Sequence, residues 1–129
     1  MVDITPPGGT ETILLAEDDA TVLELHRMIL EDAGYKVIEA VDGRDALDKF
    51  TEHRTEVDIL ATDVIMPKMN GKSLYEEIRK VRPDMKVLFM SGYTKDIIME
   101  RGILGDDFSV ITKPVTSHEL LKKMREILD

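Results

Sequence analysis

Five short apolar runs, each followed by apolar residues at helical spacing, constrain this chain more than any other feature of its sequence. The runs are "ILLA" (13–16), "KVIEA" (36–40), "DILAT" (58–62), "KVLFM" (86–90) and "FSVIT" (108–112). After the first, Val22, Leu25, Ile29 and Ala33 recur along one helical face, and Gly34 ends the helix. Ala46, Leu47 and Phe50 mark a second helix behind the Asp42-Gly43 turn. Leu74, Ile78 and Val81 line a third, closed by Pro83; Ile97 and Ile98 lie in a fourth, ended by Gly102 or Gly105; Leu120, Met124 and Ile127 define a fifth. Strand–helix alternation of this kind predicts an α/β fold, a parallel sheet with helices on both faces. Runs one, three and four are almost continuously apolar, as strands buried on both faces require. Runs two and five carry Lys36, Glu39, Ser109 and Thr112 and suit the sheet edges. That sorting is compatible with a doubly wound five-stranded sheet in the order 2-1-3-4-5.

The length of 129 residues suits one domain, and the stretch 1–11, with Pro6-Pro7-Gly8-Gly9 and little to bury, is expected to be a flexible linker or end. The folded domain is then expected over 12–129. The absence of cysteine excludes disulfides and thiolate metal sites. No apolar run approaches the ~18 residues of a membrane span, so no direct membrane contact is expected. A net charge of −9 disfavours direct binding of nucleic acid and suits basic partners or cations.

Open parallel sheets bind their ligands beyond the carboxyl ends of the strands. The residues found there are Glu17-Asp18-Asp19 after the first run, Asp63 after the third, Ser91 after the fourth and Lys113 after the fifth. Taken singly each has a bland explanation: Asp18 or Asp19 as a helix cap, Asp63 and Ser91 as turn residues, Lys113 as a solvated end. Jointly they place three carboxylates, a hydroxyl and an ammonium at one sheet edge. Crowded carboxylates repel, and a hard divalent cation with oxygen ligands, such as Mg²⁺, relieves the repulsion. No histidine stands at these strand ends, so zinc is not suggested. Asp63, alone after its strand, suits a nucleophile that attacks a phosphoryl group. Lys113 would then stabilise the charge in transit, with Ser91 placed to hydrogen-bond a phosphoryl oxygen.

The segments "LLAEDD", "DILATDVIMPKMNG", "VLFMSGY" and "ITKP", in this order and spacing, resemble the receiver domains of bacterial two-component response regulators. The resemblance covers roughly 12–129 and implies a flavodoxin-like (βα)5 fold. It implies Asp63 as phosphoacceptor, Ser91 as the switch hydroxyl and Lys113 as the phosphate contact. It implies Mg²⁺ bound by Glu17, Asp18, Asp63 and the backbone carbonyl of Ile65, and a cis Lys113-Pro114 bond. A histidine kinase or histidine phosphotransfer domain is the implied partner, with a cytoplasmic location and a monomeric or weakly dimeric state. The segment is then not an enzyme acting on a separate substrate. It catalyses its own phosphotransfer and signals through the face built by the fourth helix, fifth strand and fifth helix. "GTETILLAEDD", "VLFMSGYT" and "MREILD" are most similar to the C-terminal receiver of a hybrid sensor histidine kinase. A stand-alone receiver is the rival.

Three other readings are weaker. A haloacid-dehalogenase-type phosphatase needs a second Asp two residues after the nucleophile, where Ile65 stands. A flavodoxin-like cofactor protein needs a phosphate loop after the first strand, where "EDDA" repels phosphate. A docking module that is never phosphorylated does not need Asp18, Asp63, Ser91 and Lys113 together. Two departures from the family's usual pattern stand out. Val110 occupies the position three before the lysine that is often aromatic, with Phe108 two residues earlier and expected on the same strand face. Ile65 and Tyr93 flank the phosphoryl position, and neither offers a carboxamide or carboxylate to orient an attacking water. Slow self-dephosphorylation is therefore expected. In a phosphate-release time course, Ile65→Asn should lose its phosphoryl group faster than the parent chain, and equal rates would refute the expectation.

Overall fold

The computed structural model describes residues 7–105 and 108–129. The elements alternate as expected: β1 (Thr12–Ala16), α1 (Ala20–Asp32), β2 (Lys36–Ala40), α2 (Gly43–Glu52), β3 (Ile59–Asp63), α3 (Gly71–Val81), β4 (Lys86–Ser91), α4 (Lys95–Glu100), β5 (Val110–Thr112) and α5 (Ser117–Leu128). All strand pairs are parallel and the order is β2-β1-β3-β4-β5. The polar runs are indeed the edges.

Alternation along the central strands divides the core in two. Leu14, Leu60 and Phe89 pack on one side with Phe50 of α2, Leu74 and Ile78 of α3 and Ile98 of α4. Ile13, Leu15, Ile59 and Leu88 pack on the other with Leu23 and Leu30 of α1 and Leu120 and Met124 of α5. The order of the strands and the crossover helices thus cover both faces, leaving the strand ends as the open side of the fold.

Three local expectations change. On α1 the buried face is Leu23, His26 and Leu30, while Leu25 is 51 % exposed. The competing periodicity wins because it meets both β1 and α5; His26 fills a position that an apolar count passes over. On α3, Val81 is exposed and Tyr75 joins Leu74 and Ile78 in the core, its hydroxyl donating to the Met85 carbonyl at 3.1 Å. β5 is shorter than the run 108–112, because Phe108 leaves the ladder to pack edge-on against Phe89 and Tyr75, with ring centroids 5.4 and 5.7 Å away. Phe108 and Val110 do face the same side, both against the α2–α3–α4 core. Helix α4 stops at Glu100, and Gly102, at φ 68°, turns the chain away.

The N-terminal stretch joins the domain earlier than residue 12. The Gly9 N–H donates to the Ala33 carbonyl at 3.2 Å, and Arg125 of α5 reaches the Gly8 carbonyl at 3.2 Å and pairs with Glu11 at 2.7 Å. Gly34, at φ 103°, allows this approach, since a Cβ there would lie 2.5 Å from the Gly9 carbonyl oxygen. Residues 1–6 of the expected flexible segment lie outside the described residues.

One glycine bears directly on the strand ends. Gly71 opens α3 behind its N-cap Asn70, donates its N–H to the Val64 carbonyl at 2.8 Å, and lies against the Asp63 backbone. A Cβ on Gly71 would fall 2.1 Å from the Asp63 carbonyl oxygen. Gly71→Ala should therefore lower stability by about 1–3 kcal/mol in urea unfolding, as overpacking does. A variant as stable as the parent would show that the loop gives way freely.

Candidate functional site

The strand ends bring Glu17, Asp18, Asp63, Ser91 and Lys113 to one cleft of about 330 Å³, which Ile65, Gly92 and Tyr93 also line. Register explains the convergence. Ala16 pairs with Thr62, Asp63 with Met90, and Ser91 with Thr112, so the next residue of each strand emerges at the same edge. The Glu17 N–H donates to the Ala40 carbonyl at 3.0 Å, and that of Lys113 to the Ser91 carbonyl at 2.7 Å, holding both strand exits.

The acidic run divides its labour. Asp19 caps α1, accepting from the Thr21 and Val22 N–H groups at 2.9 and 3.1 Å. Glu17 turns inward and is buried, accepting from the Asp19 N–H at 3.0 Å. Asp18 is exposed at the mouth of the cleft. One carboxylate oxygen from each of Glu17, Asp18 and Asp63 lies within 4.8 Å of the others. These three form an all-oxygen set whose spacing fits a small hard cation.

Lys113 spans the two buried carboxylates. Its Nζ lies 2.7 Å from Glu17 Oε2 and 2.7 Å from Asp63 Oδ1. The bond to Glu17 is well formed. The approach to Asp63 is equally short but poorly angled, and Asp63 Oδ1 has no properly directed donor. Asp63 is accordingly the uncomfortable member. Burial pushes its carboxyl up to about 8, and the neighbouring Glu17 carboxylate adds to the shift, while Lys113 opposes it. Burial also pushes Glu17 up, but hydrogen bonds from Asp63, Lys113 and the Asp19 N–H prevail and hold it below its usual value. Lys113 is disfavoured by burial and raised on balance by its two carboxylate partners. In the absence of a cation Asp63 is therefore the member of the pair that ionises less readily.

Ser91 is buried at the end of β4, and its Oγ accepts from the Tyr93 N–H at 3.0 Å. Its own proton is free to be donated into the cleft. The Lys113-Pro114 bond is cis, as the resemblance implies. Ile65 and Tyr93 stand on the rim, 57 % and 44 % exposed. Two neighbours of the site were not singled out from the sequence. His26 lies buried beneath it with an unpartnered Nδ1; burial lowers its basicity, the Glu17 charge opposes that, and the Lys113 charge adds to it. Its spacing from Leu23 and Leu30 was the available signal. Arg101 stacks on Tyr93, a contact between the two ends of α4 that no apolar periodicity announces.

A doubly wound sheet with this acid–lysine–hydroxyl cleft defines a phosphoryl-accepting signalling domain. The family model for the response regulator receiver domain matches residues 13–125. The chain is 37 % identical to the sensor kinase CckA of Brucella abortus over 97 % of its own length and 13 % of the kinase. It is 29 % identical to the chemotaxis protein CheY of Treponema pallidum, over 95 % of this chain and 86 % of that protein. Among solved structures, a receiver domain from Clostridium thermocellum superposes with a TM-score of 0.81 at 29 % identity, covering 92 % of this chain and 94 % of that one. The receiver domain of the hybrid histidine kinase CckA gives 0.78 at 30 % identity, covering 92 % and 99 %. The protein belongs to the response regulator receiver domain family, and is a phosphoacceptor signalling domain of the two-component type.

The raised Asp63 carboxyl carries a pH signature. The folded chain holds a proton there that an unfolded Asp releases near 3.8. Its contribution to stability is fully present below 3.8, declines as pH rises, and is lost as pH passes through about 8. In chelator, the stability advantage of Asp63→Asn over the parent should grow from pH 5 to pH 8 in urea unfolding. A pH-independent margin would contradict the assignment.

Proposed function

We propose that Asp63 is the residue phosphorylated, by transfer from a phosphohistidine on a histidine kinase or histidine phosphotransfer domain. The observation that carries this reading is the position of Lys113 Nζ, 2.7 Å from oxygens of both Glu17 and Asp63 at the floor of an otherwise acidic cleft. In the transfer, an Asp63 carboxylate oxygen attacks phosphorus in line, the N–P bond breaks, and the imidazole leaves with the electron pair and takes up a proton. Mg²⁺ held by Glu17, Asp18, Asp63 and the Ile65 carbonyl would neutralise the crowded carboxylates and the phosphoryl oxygens. Lys113 exchanges its Asp63 contact for a phosphoryl oxygen, and the Ser91 hydroxyl donates to another.

The new group adds negative charge and strong acceptors beside Ser91. Movement of Ser91 toward it displaces the end of β4 and the start of α4. The face of α4, β5 and α5 then changes its partner affinity by the ~1–3 kcal/mol usual for coupled sites. That face carries a groove of about 360 Å³ between β5 and α5, edged by Glu119, Lys122, Lys123 and Glu126. The similarity to CckA supports an origin in the C-terminal receiver of a hybrid sensor histidine kinase, with this chain spanning a small part of the whole. The domain then works on the cytoplasmic side, as a monomer or weak dimer. Among the described residues no helix is long and apolar enough to cross a membrane.

Incubation with a small acyl phosphate and Mg²⁺, read by intact mass, tests the reading. A single phosphoryl adduct should form, depend on Mg²⁺ and vanish in Asp63→Asn. An unchanged adduct in that variant would place the chemistry elsewhere, and no adduct on the parent chain would favour a docking module.

A further inference from the structure

The Tyr93 ring stands at the rim of the cleft and is held at two points. Its backbone N–H donates to Ser91 Oγ at 3.0 Å, and the Arg101 guanidinium carbon lies 5.5 Å from the ring centroid. Arg101 is the C-cap of α4, its N–H returning to the Ile97 carbonyl, while the Gly102 N–H returns to that of Met99. The guanidinium is thus anchored on a helix end, and α4 in turn is fixed to the core by Ile98. Both Tyr93 and Arg101 are solvent-exposed, and nothing in the packing of the core requires their contact.

We propose that Arg101 is a positioning residue that holds the Tyr93 ring across the mouth of the cleft, and so lengthens the life of the phosphorylated state. The inference rests on Asp63 as phosphoacceptor. In hydrolysis a water oxygen attacks phosphorus in line with the Asp63 oxygen. The P–O bond to Asp63 breaks, its electron pair returns to the carboxylate, and the water's proton leaves on inorganic phosphate. The water must arrive from the side opposite Asp63, which is the open side rimmed by Ile65 and Tyr93. A ring kept there occupies the approach and offers the water no base. Released, it samples other rotamers and opens the approach for part of the time. An exposed guanidinium–ring pair is strong enough to change that population about two- to fivefold.

The test is decay of the phosphoryl adduct by intact mass, after charging with a small acyl phosphate and Mg²⁺ and removing the donor. Arg101→Ala should shorten the lifetime about two- to fivefold, and Arg101→Lys should restore part of it. The acceleration should persist when Arg101→Ala is combined with Tyr93→Phe, which keeps the ring. It should disappear in combination with Tyr93→Leu, which does not. A merely structural role for Arg101 would give the same acceleration in all three backgrounds, and that result, or no acceleration at all, overturns the inference. Absence of any adduct on the parent chain would instead overturn the phosphoacceptor reading, and this inference with it.

Discussion

A single ammonium between two buried carboxylates is the contact on which the working end of this domain depends. Lys113 Nζ, reaching in from the edge strand β5, sits 2.7 Å from both Glu17 and Asp63, which stand at the ends of the adjacent central strands β1 and β3. Removing charges from water costs several kcal/mol each, and such a cluster persists only when partners offset one another. Here the offset is incomplete. Two carboxyls compete for one ammonium, Glu17 has the better-angled bond, and Asp63 is left the harder of the two to ionise. The residual electrostatic discomfort is useful. In the proposed phosphotransfer it leaves Asp63 with a charged form that a cation beside it would favour, and a lysine that would turn to an incoming phosphoryl group.

The rest of the fold serves to hold that arrangement. β1 and β3 are buried on both faces by two separate apolar layers, so their ends have little freedom to splay. Gly71 lets α3 begin directly against the Asp63 backbone. On the far side Phe108 is locked edge-on against Phe89 and Tyr75, and Val110 stands where related domains often carry an aromatic ring. Phe108 is therefore part of the core and not a movable ring beside Ser91. The aromatic residue tied to Ser91 is Tyr93, whose backbone N–H bonds the Ser91 hydroxyl and whose ring lies under Arg101.

Much of the site was legible in the sequence because it is built from strand ends. Short apolar runs identify the strands, and the first residue beyond each is then a candidate, which is how Glu17, Asp63, Ser91 and Lys113 emerge together. The strand order could also be sorted, since the first, third and fourth runs are almost continuously apolar while the second and fifth are interrupted by Glu39 and Ser109. Helix faces were less legible. On α1 both the Val22–Leu25–Ile29 and the Leu23–His26–Leu30 faces have helical period, and only the position of β1 and α5 selects the second.

Chain order and residue type by themselves determined the class of fold, the edge at which the chemistry gathers and the kind of group each position offers. Those follow from local periodicity and from a topology with few alternatives. Tertiary structure alone decided which carboxyl ionises less readily, because hydrogen-bond geometry, not residue type, separates Glu17 from Asp63. It also decided that Asp19 caps a helix while Asp18 faces the cleft, and that Arg101 lies over Tyr93. The first outcome depends on distances of a few ångströms between segments far apart in the chain, and the others on how the turn after β1 and the ends of α4 are set, which residue type does not encode.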